Sequence, residues 1–159
     1  MRITQWGEYG VLLSLYLAKR NQERPLVAAQ DVCVTATEIA ENQDIALQYA
    51  QQILHRLRRG NVVTSTRGPH GGYKLARSPS EITLYDILLA VEGETFELIC
   101  STKPLDPKLR CAPHSSCWLR PVWNDLKEHL NAFLKNYTLD KLLDKSDSST
   151  SLKVLSCCE

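Results

Sequence analysis

The stretch TATEIAENQDIALQYAQQILHRLRRGNVVTSTRGPHGGYKLA, Thr35 to Ala76, decides the fold. Its first four residues, Thr35 to Glu38, have the form of a capping box, so a short helix should run to about Asn42. A second helix is expected from Asp44 to Arg59. Ile45, Tyr49, Ile53 and Leu57 fall four apart on one face of it, and Gly60 is placed as its stop. Two short helices joined by a tight turn form a helix-turn-helix candidate. Val62–Thr66 and Tyr73–Ala76 are β-rich runs on either side of RGPHGG, a hairpin signal whose loop is long enough to project.

Charge follows the same stretch. From Ile45 to Ser80 there is no Asp or Glu, while Arg56, Arg58, Arg59, Arg67, Lys74 and Arg77 all lie within it. Nucleic-acid phosphates repel carboxylates, and Lys or Arg releases counterions on binding. A helix-turn-helix followed by a hairpin is the winged-helix arrangement, whose second helix enters the major groove. Gln48, Gln51 and Gln52 on that helix are base-reading candidates, because an amide pairs bidentately with adenine. Arg67 at the hairpin tip is directed to a minor groove, with His70 beside it and Gly71 and Gly72 permitting close backbone approach. Thr37, Arg56, Arg58 and Arg59 complete the expected contacts. A basic helix end is also what the helix dipole favours, so no single arginine carries the reading. The whole set points to double-stranded DNA.

Outward from this core, Tyr9, Leu12, Leu13, Tyr16 and Leu17 make an apolar stripe at helical spacing over 8–20. TLYD, Thr83 to Asp86, starts another short helix that ends at Gly93. A long helix is expected from Trp118 to Tyr137, with Pro121 near its first turn. Leu119, Trp123, Leu126, Leu130, Phe133 and Tyr137 form a heptad seam, which Val122 and Leu134 widen, so a twin helix is the expected partner and Trp118 and Trp123 belong to its core. The chain divides into a winged helix-turn-helix domain over 1–93 (wing 62–76), a cysteine loop over 94–117, a dimerisation helix and its end over 118–143, and a disordered tail over 144–159. The expected fold class is mainly α with a small β-hairpin.

A chain of 159 residues, 43% apolar, suits one compact domain with an appendage. Nineteen basic against eighteen acidic residues leave total charge uninformative. No run is apolar enough for a membrane span and the first residues lack a leader pattern, so a cytoplasmic location with reduced thiols is expected. Cys100, Cys111 and Cys117 then share one loop with Pro104, Pro107 and Pro113 and few large apolar residues. Thiolates are the usual ligands of iron–sulfur clusters, and a metal would order such a loop. Inert, zinc-binding or oxidation-sensing thiols are the alternatives. Cys117 with His114 as an enzymatic nucleophile and base lacks a third orienting group, so no enzyme is expected. Cys33 reads as a small buried residue, and Cys157 and Cys158 lie on the tail.

The segments MRIT…EYGVLLSLYLA, Thr35–Gly93 and WNDLKEHLNAFLKNYTLDKL closely resemble the Rrf-two family of bacterial transcription regulators, over about residues 1–143. The run RGPHGGYKLAR is its most specific part. The resemblance implies a homodimeric winged-helix protein on palindromic operators, with the long helix crossing its twin and Arg67 in the minor groove. Members that sense with a cluster carry three loop cysteines, matched by Cys100, Cys111 and Cys117. Some relatives add a histidine three residues after the last cysteine. Here that position is Arg120, which has no lone pair to donate. Others use a carboxylate near the partner's N-terminus, the place held by Glu8. The expected centre is therefore a two-iron cluster, with a four-iron one possible, held by the three cysteines of one chain and Glu8 of the other, His114 competing. It would report redox state, nitric oxide or iron–sulfur status. A regulator of the same fold that senses by thiol oxidation or a protein partner is the runner-up. Ala46 stands where relatives often carry a capping serine, and Gln51 where some have glutamate.

Overall fold

The computed structural model describes residues 3–22, 33–69, 71–94, 96 and 117–148. In chain order they form α1 (Gln5–Gln22), α2 (Ala36–Asn42), α3 (Leu47–Arg59), β1 (Val63–Thr66), β2 (Gly72–Leu75), a 3₁₀ turn at Pro79–Glu81, α4 (Leu84–Glu92), α5 (Leu119–Asn136) and α6 (Leu139–Ser148). The protein is mainly α with one small antiparallel hairpin, as the sequence predicts.

Thr35 caps α2 by accepting from the Glu38 amide at 3.2 Å. Glu38's carboxylate turns to α1 instead of closing the box, accepting from Tyr16 Oη at 3.0 Å and Arg20 Nη2 at 2.9 Å. The expected start of α3 at Asp44 needs correction to Leu47. Asp44 takes the left-handed conformation, φ 50°, which an Asp tolerates, and the amide of Ile45 bonds back to Ala40 O at 3.1 Å. Gly60 ends α3 as expected, but for another reason. Its φ is −81° and the left-handed residue is Asn61, φ 56°. A Cβ on Gly60 would run into Ala90 of α4, so the glycine lets the two helices touch.

Leu13 and Leu17 of α1, Ile39 of α2, Ile53, Leu54 and Leu57 of α3, and Ile87 of α4 make one buried cluster. Of the four residues predicted on α3's inner face, Ile53 and Leu57 are buried, while Ile45 and Tyr49 sit half-buried at the margin. Gly7 and Gly10 bring α1 close to α4: a Cβ at Gly7 would meet the Glu92 carboxylate, and one at Gly10 would lie 2.9 Å from Val91 Cγ2.

The hairpin pairs Val63 with Leu75 and Thr66 with Gly72. Val34 joins its edge through Tyr73, with N–O distances of 2.8 and 2.9 Å in the two directions. The wing is thereby hydrogen-bonded to the residue just ahead of α2.

The long helix stops at Asn136, and a separate helix follows. The break is made by α4's entry: Leu84 N donates to Tyr137 O at 2.8 Å and Leu139 N to Ile82 O at 3.0 Å. Asp140 accepts from Thr138 Oγ1 and from the Lys141 amide, and these bonds hold its carboxyl below the usual carboxylate range. Leu139 and Leu143 of α6 are buried in the main cluster. Residues 144–148, expected to begin the tail, complete this helix, and 149–159 lie outside the described residues. No described helix is long and apolar enough to cross a membrane.

Candidate nucleic-acid interface and cysteine loop

Helix α3 is two-sided. Ala50, Ile53, Leu54 and Leu57 face inward and are fully buried. Gln48, Gln51 and Gln52, three and four apart, are all exposed. Leu47 is exposed beside them. The N-cap, Ala46, offers no side-chain hydrogen bond to the first turn. Thr37 is exposed on the first turn of α2.

The basic end of α3 divides its work. Arg58 Nη1 donates to Ser65 Oγ of β1 at 3.2 Å, tying the helix to the wing. Arg59 is exposed. Arg56 reaches the other way: its Nη1 donates to Val91 O at 2.6 Å, and its guanidinium carbon lies 4.4 Å from the Trp6 ring centroid. Trp6 and Tyr9 both meet Tyr49 edge-on, with centroids 4.8 and 5.6 Å away. Burial, then Tyr9, push the Tyr49 phenol above its ordinary range. Of the other cations in the acid-free stretch, Arg77 pairs with Asp86 at 3.5 Å and donates to Glu81 O.

The wing turn spans Arg67–Gly71 and is closed by Gly71 N to Gly68 O at 2.9 Å. Arg67 is exposed on it, and His70 lies outside the described residues. Gly71 and Gly72 are needed for contacts inside the chain. A Cβ on Gly71 would strike Thr66 O, and one on Gly72 would stand 2.5 Å from Val34 O and 2.8 Å from its carbonyl carbon.

Cys100, Cys111 and His114 lie outside the described residues. Cys117 is an exposed free thiol just ahead of α5, Cys33 is free and half-buried, and Glu8 is exposed in the first turn of α1. Among the described residues no group of three His, Cys, Asp or Glu side chains could hold a metal ion. The first residues of the cysteine loop are held against α5. Glu94 pairs with Lys127 of α5 at 3.1 Å, and Phe96 lies against Trp123, centroids 6.4 Å apart. An exposed free thiol such as that of Cys117 is a competent metal ligand.

Sequence reasoning missed two features. Glu92 caps α1, accepting from Thr4 N at 2.8 Å, Thr4 Oγ1 at 2.9 Å and Gly7 N at 2.9 Å. Eighty-eight positions separate Glu92 from Thr4, so no local pattern reveals it. On α5, Leu119, Val122, Trp123, Leu126 and Phe133 are 40–57% exposed, consistent with the predicted seam, whereas Leu134 is buried in its own subunit and leaves that seam.

A helix-turn-helix with an outward glutamine face, followed by an arginine-tipped hairpin, defines a winged-helix DNA-binding protein. A family model described as Rrf2, iron-dependent transcriptional regulator, matches residues 3–145. The chain belongs to the Rrf2, or Rrf-two, family. It is similar to the HTH-type transcriptional regulator IscR of Serratia proteamaculans (strain 568), 35% identical over 92% of this chain and 82% of that protein. Among solved structures it resembles T. potens IscR, with TM-score 0.68, 26% identity, and 95% and 92% of the two chains covered. It also resembles CymR, the global cysteine regulator of B. subtilis, with TM-score 0.65, 26% identity, and 91% and 98% covered. The protein is therefore a transcriptional regulator and not an enzyme.

Proposed function

We propose that this protein acts in the cytoplasm as a homodimer on palindromic operators, and that an iron–sulfur cluster sets its affinity for them. The observation that carries the DNA-binding part is the exposed Gln48–Gln51–Gln52 face of α3, opposite a wholly buried face and hydrogen-bonded through Arg58 to the wing. In this reading the glutamines meet base edges in the major groove, Thr37 and Arg59 meet phosphates, and Arg67 enters a minor groove. Arg67→Ala is expected to weaken binding and to lower the slope of log affinity against log salt by about one, as loss of one phosphate-neutralising cation requires. Equal affinity in variant and wild type, read by fluorescence anisotropy, rules out the wing contact.

Cys100, Cys111 and Cys117 of one subunit with Glu8 of the other are the ligand set we favour, His114 being the competing donor. A two-iron cluster suits three thiolates and one oxygen, and a four-iron one is compatible. When bound, the cluster supplies a redox-active centre that responds to oxidants, nitric oxide or iron supply. The chain's own part is to bind it in a loop whose first residues, Glu94 and Phe96, are held by Lys127 and Trp123, and to offer through Glu8 a weaker oxygen donor that keeps it labile. Half-sites about one DNA turn apart make joint fit of two recognition helices sensitive to small rotations. The test is protein purified without air, with its visible spectrum recorded and iron and acid-labile sulfide counted per chain. Colour with both elements present is the expected result, and Glu8→Ala should make the cluster less stable. Colourless protein that refuses reconstitution defeats the cluster and favours thiol oxidation within the same fold, for which Cys117 is exposed. An unchanged spectrum and lifetime in Glu8→Ala defeats only the cross-subunit ligand.

A further inference from the structure

Arg56 sits in the acid-free stretch, where a phosphate contact is the ready assignment. Its geometry gives it another task. Val91 is the penultimate residue of α4, so its carbonyl has no partner within that helix and sits at the negative end of the dipole. Arg56 Nη1 supplies the missing donor at 2.6 Å and brings a full positive charge. The same guanidinium covers Trp6 of α1 at 4.4 Å. One residue further on, Glu92 holds the first turn of α1 through Thr4 and Gly7. Two successive residues, Val91 and Glu92, thus join the recognition helix, the start of α1 and the end of α4. The cysteine loop begins immediately after them.

We propose that Arg56 is a positioning residue for operator recognition: with Trp6 and Val91 O it clamps α3 to the junction from which the cysteine loop departs, so that the glutamine face is presented at a fixed angle. The proposal rests on the reading of α3 as the base-reading helix. It gives Arg56 a role distinct from that of Arg67. A clamp acts on the pose of α3, and therefore on sequence-specific binding. A phosphate contact acts on all DNA alike.

The test uses the full-length dimer and two fluorescent duplexes: the tightest one that wild-type protein selects from a random-sequence pool, and an unselected random one. Arg56→Met keeps the aliphatic stem and removes the donor and the charge. It is expected to weaken the selected duplex about tenfold or more, a charged hydrogen bond being lost, while the salt slope on that duplex stays at the wild-type value. Binding to the random duplex should change less than about twofold, since no phosphate contact is removed. Arg56→Lys, which retains a cation and a donor, should recover most of the loss. Trp6→Leu, which keeps an apolar contact and leaves the Val91 bond in place, should show a smaller loss of the same kind, and it decides the matter if Arg56→Met does not fold. A salt slope lowered by about one, with both duplexes weakened alike, overturns the proposal and makes Arg56 a phosphate ligand. Full wild-type affinity for the selected duplex in both Arg56→Met and Trp6→Leu overturns it as well. All of these measurements are made on protein as purified, so failure to take up iron defeats the cluster and leaves this result standing.

Discussion

Leu126→Glu is expected to leave the protein monomeric at micromolar concentration and to cost it most of its operator affinity. Leu126 lies in the middle of the outward face of α5, flanked by Leu119, Val122 and Trp123 before it and Phe133 after it. Such a face on a helix anchored to its own core by Leu134 is suited to a second copy, because a two-fold axis brings each side chain against its own image. Burying one leucine contributes about 1.5–3 kcal/mol, and the symmetry counts it twice. Glutamate removes that gain and places two like charges near the axis, a further cost of several kcal/mol. A loss of about 4 kcal/mol or more weakens self-association by roughly three orders of magnitude. Light scattering behind size exclusion reads the mass directly. Operator affinity should fall by about a hundredfold, since a monomer loses the effective concentration that links two half-sites. A dimer of undiminished stability in Leu126→Glu removes α5 as the interface.

Gly72→Val is expected to detach the wing. The site is crowded by main chain, with Val34 O at 2.5 Å, Val34 C at 2.8 Å and Cys33 C at 3.1 Å from the position of a new Cβ. Backbone cannot swing aside as a long side chain can, so the edge pairing of Tyr73 with Val34 has to open. Overpacking and the loss of two hydrogen bonds together cost about 2–4 kcal/mol. For a domain of this size that corresponds to a melting temperature lower by roughly 5–15 °C. With the hairpin no longer fixed, Arg67 should contribute little, and Arg67→Ala in the Gly72→Val background should change affinity hardly at all. Thermal unfolding and the double-variant titration check both parts. An unaltered melting temperature disproves the packing account.

The elements that local rules govern were legible from the residues alone. The threonine cap of α2 and the start of α4 at Thr83 depend on partners three positions on, and the hairpin around RGPHGG on partners across one short turn, from Thr66 with Gly72 out to Val63 with Leu75. What escaped depends on distant partners. The end of the long helix at Tyr137 is in the heptad pattern, but the separate helix Leu139–Ser148 that follows is not, because its entry is set by Leu84 and Leu139 bonding to Tyr137 and Ile82. The same pattern cannot tell a leucine that meets a twin from one that meets its own core, and so it puts the buried Leu134 on the seam. Gly71 and Gly72 read from the sequence as points of close approach to DNA, and the close approaches that the structure shows at them are to the wing's own backbone and to Val34. Arg56 and Arg58 are two positions apart and similar as residues, yet one reaches α4 and the other the wing. Cys117 and Glu8 are exposed, while Cys100 and Cys111 fall outside the described residues.

Ala46 at the head of α3 carries a consequence for how this regulator meets its operator. An alanine there gives the first turn of the helix no side-chain acceptor; the Tyr49 amide turns back to Ala46 O at 2.9 Å, and no capping side chain serves the amides of Leu47 and Gln48 ahead of it. On the DNA-binding reading proposed above, a backbone phosphate would be a better occupant of that uncapped end, since helix N-termini favour anions. Recognition of sequence and consolidation of the reader would then be a single event, and a tighter cap installed by the protein itself would compete with the duplex for the same groups.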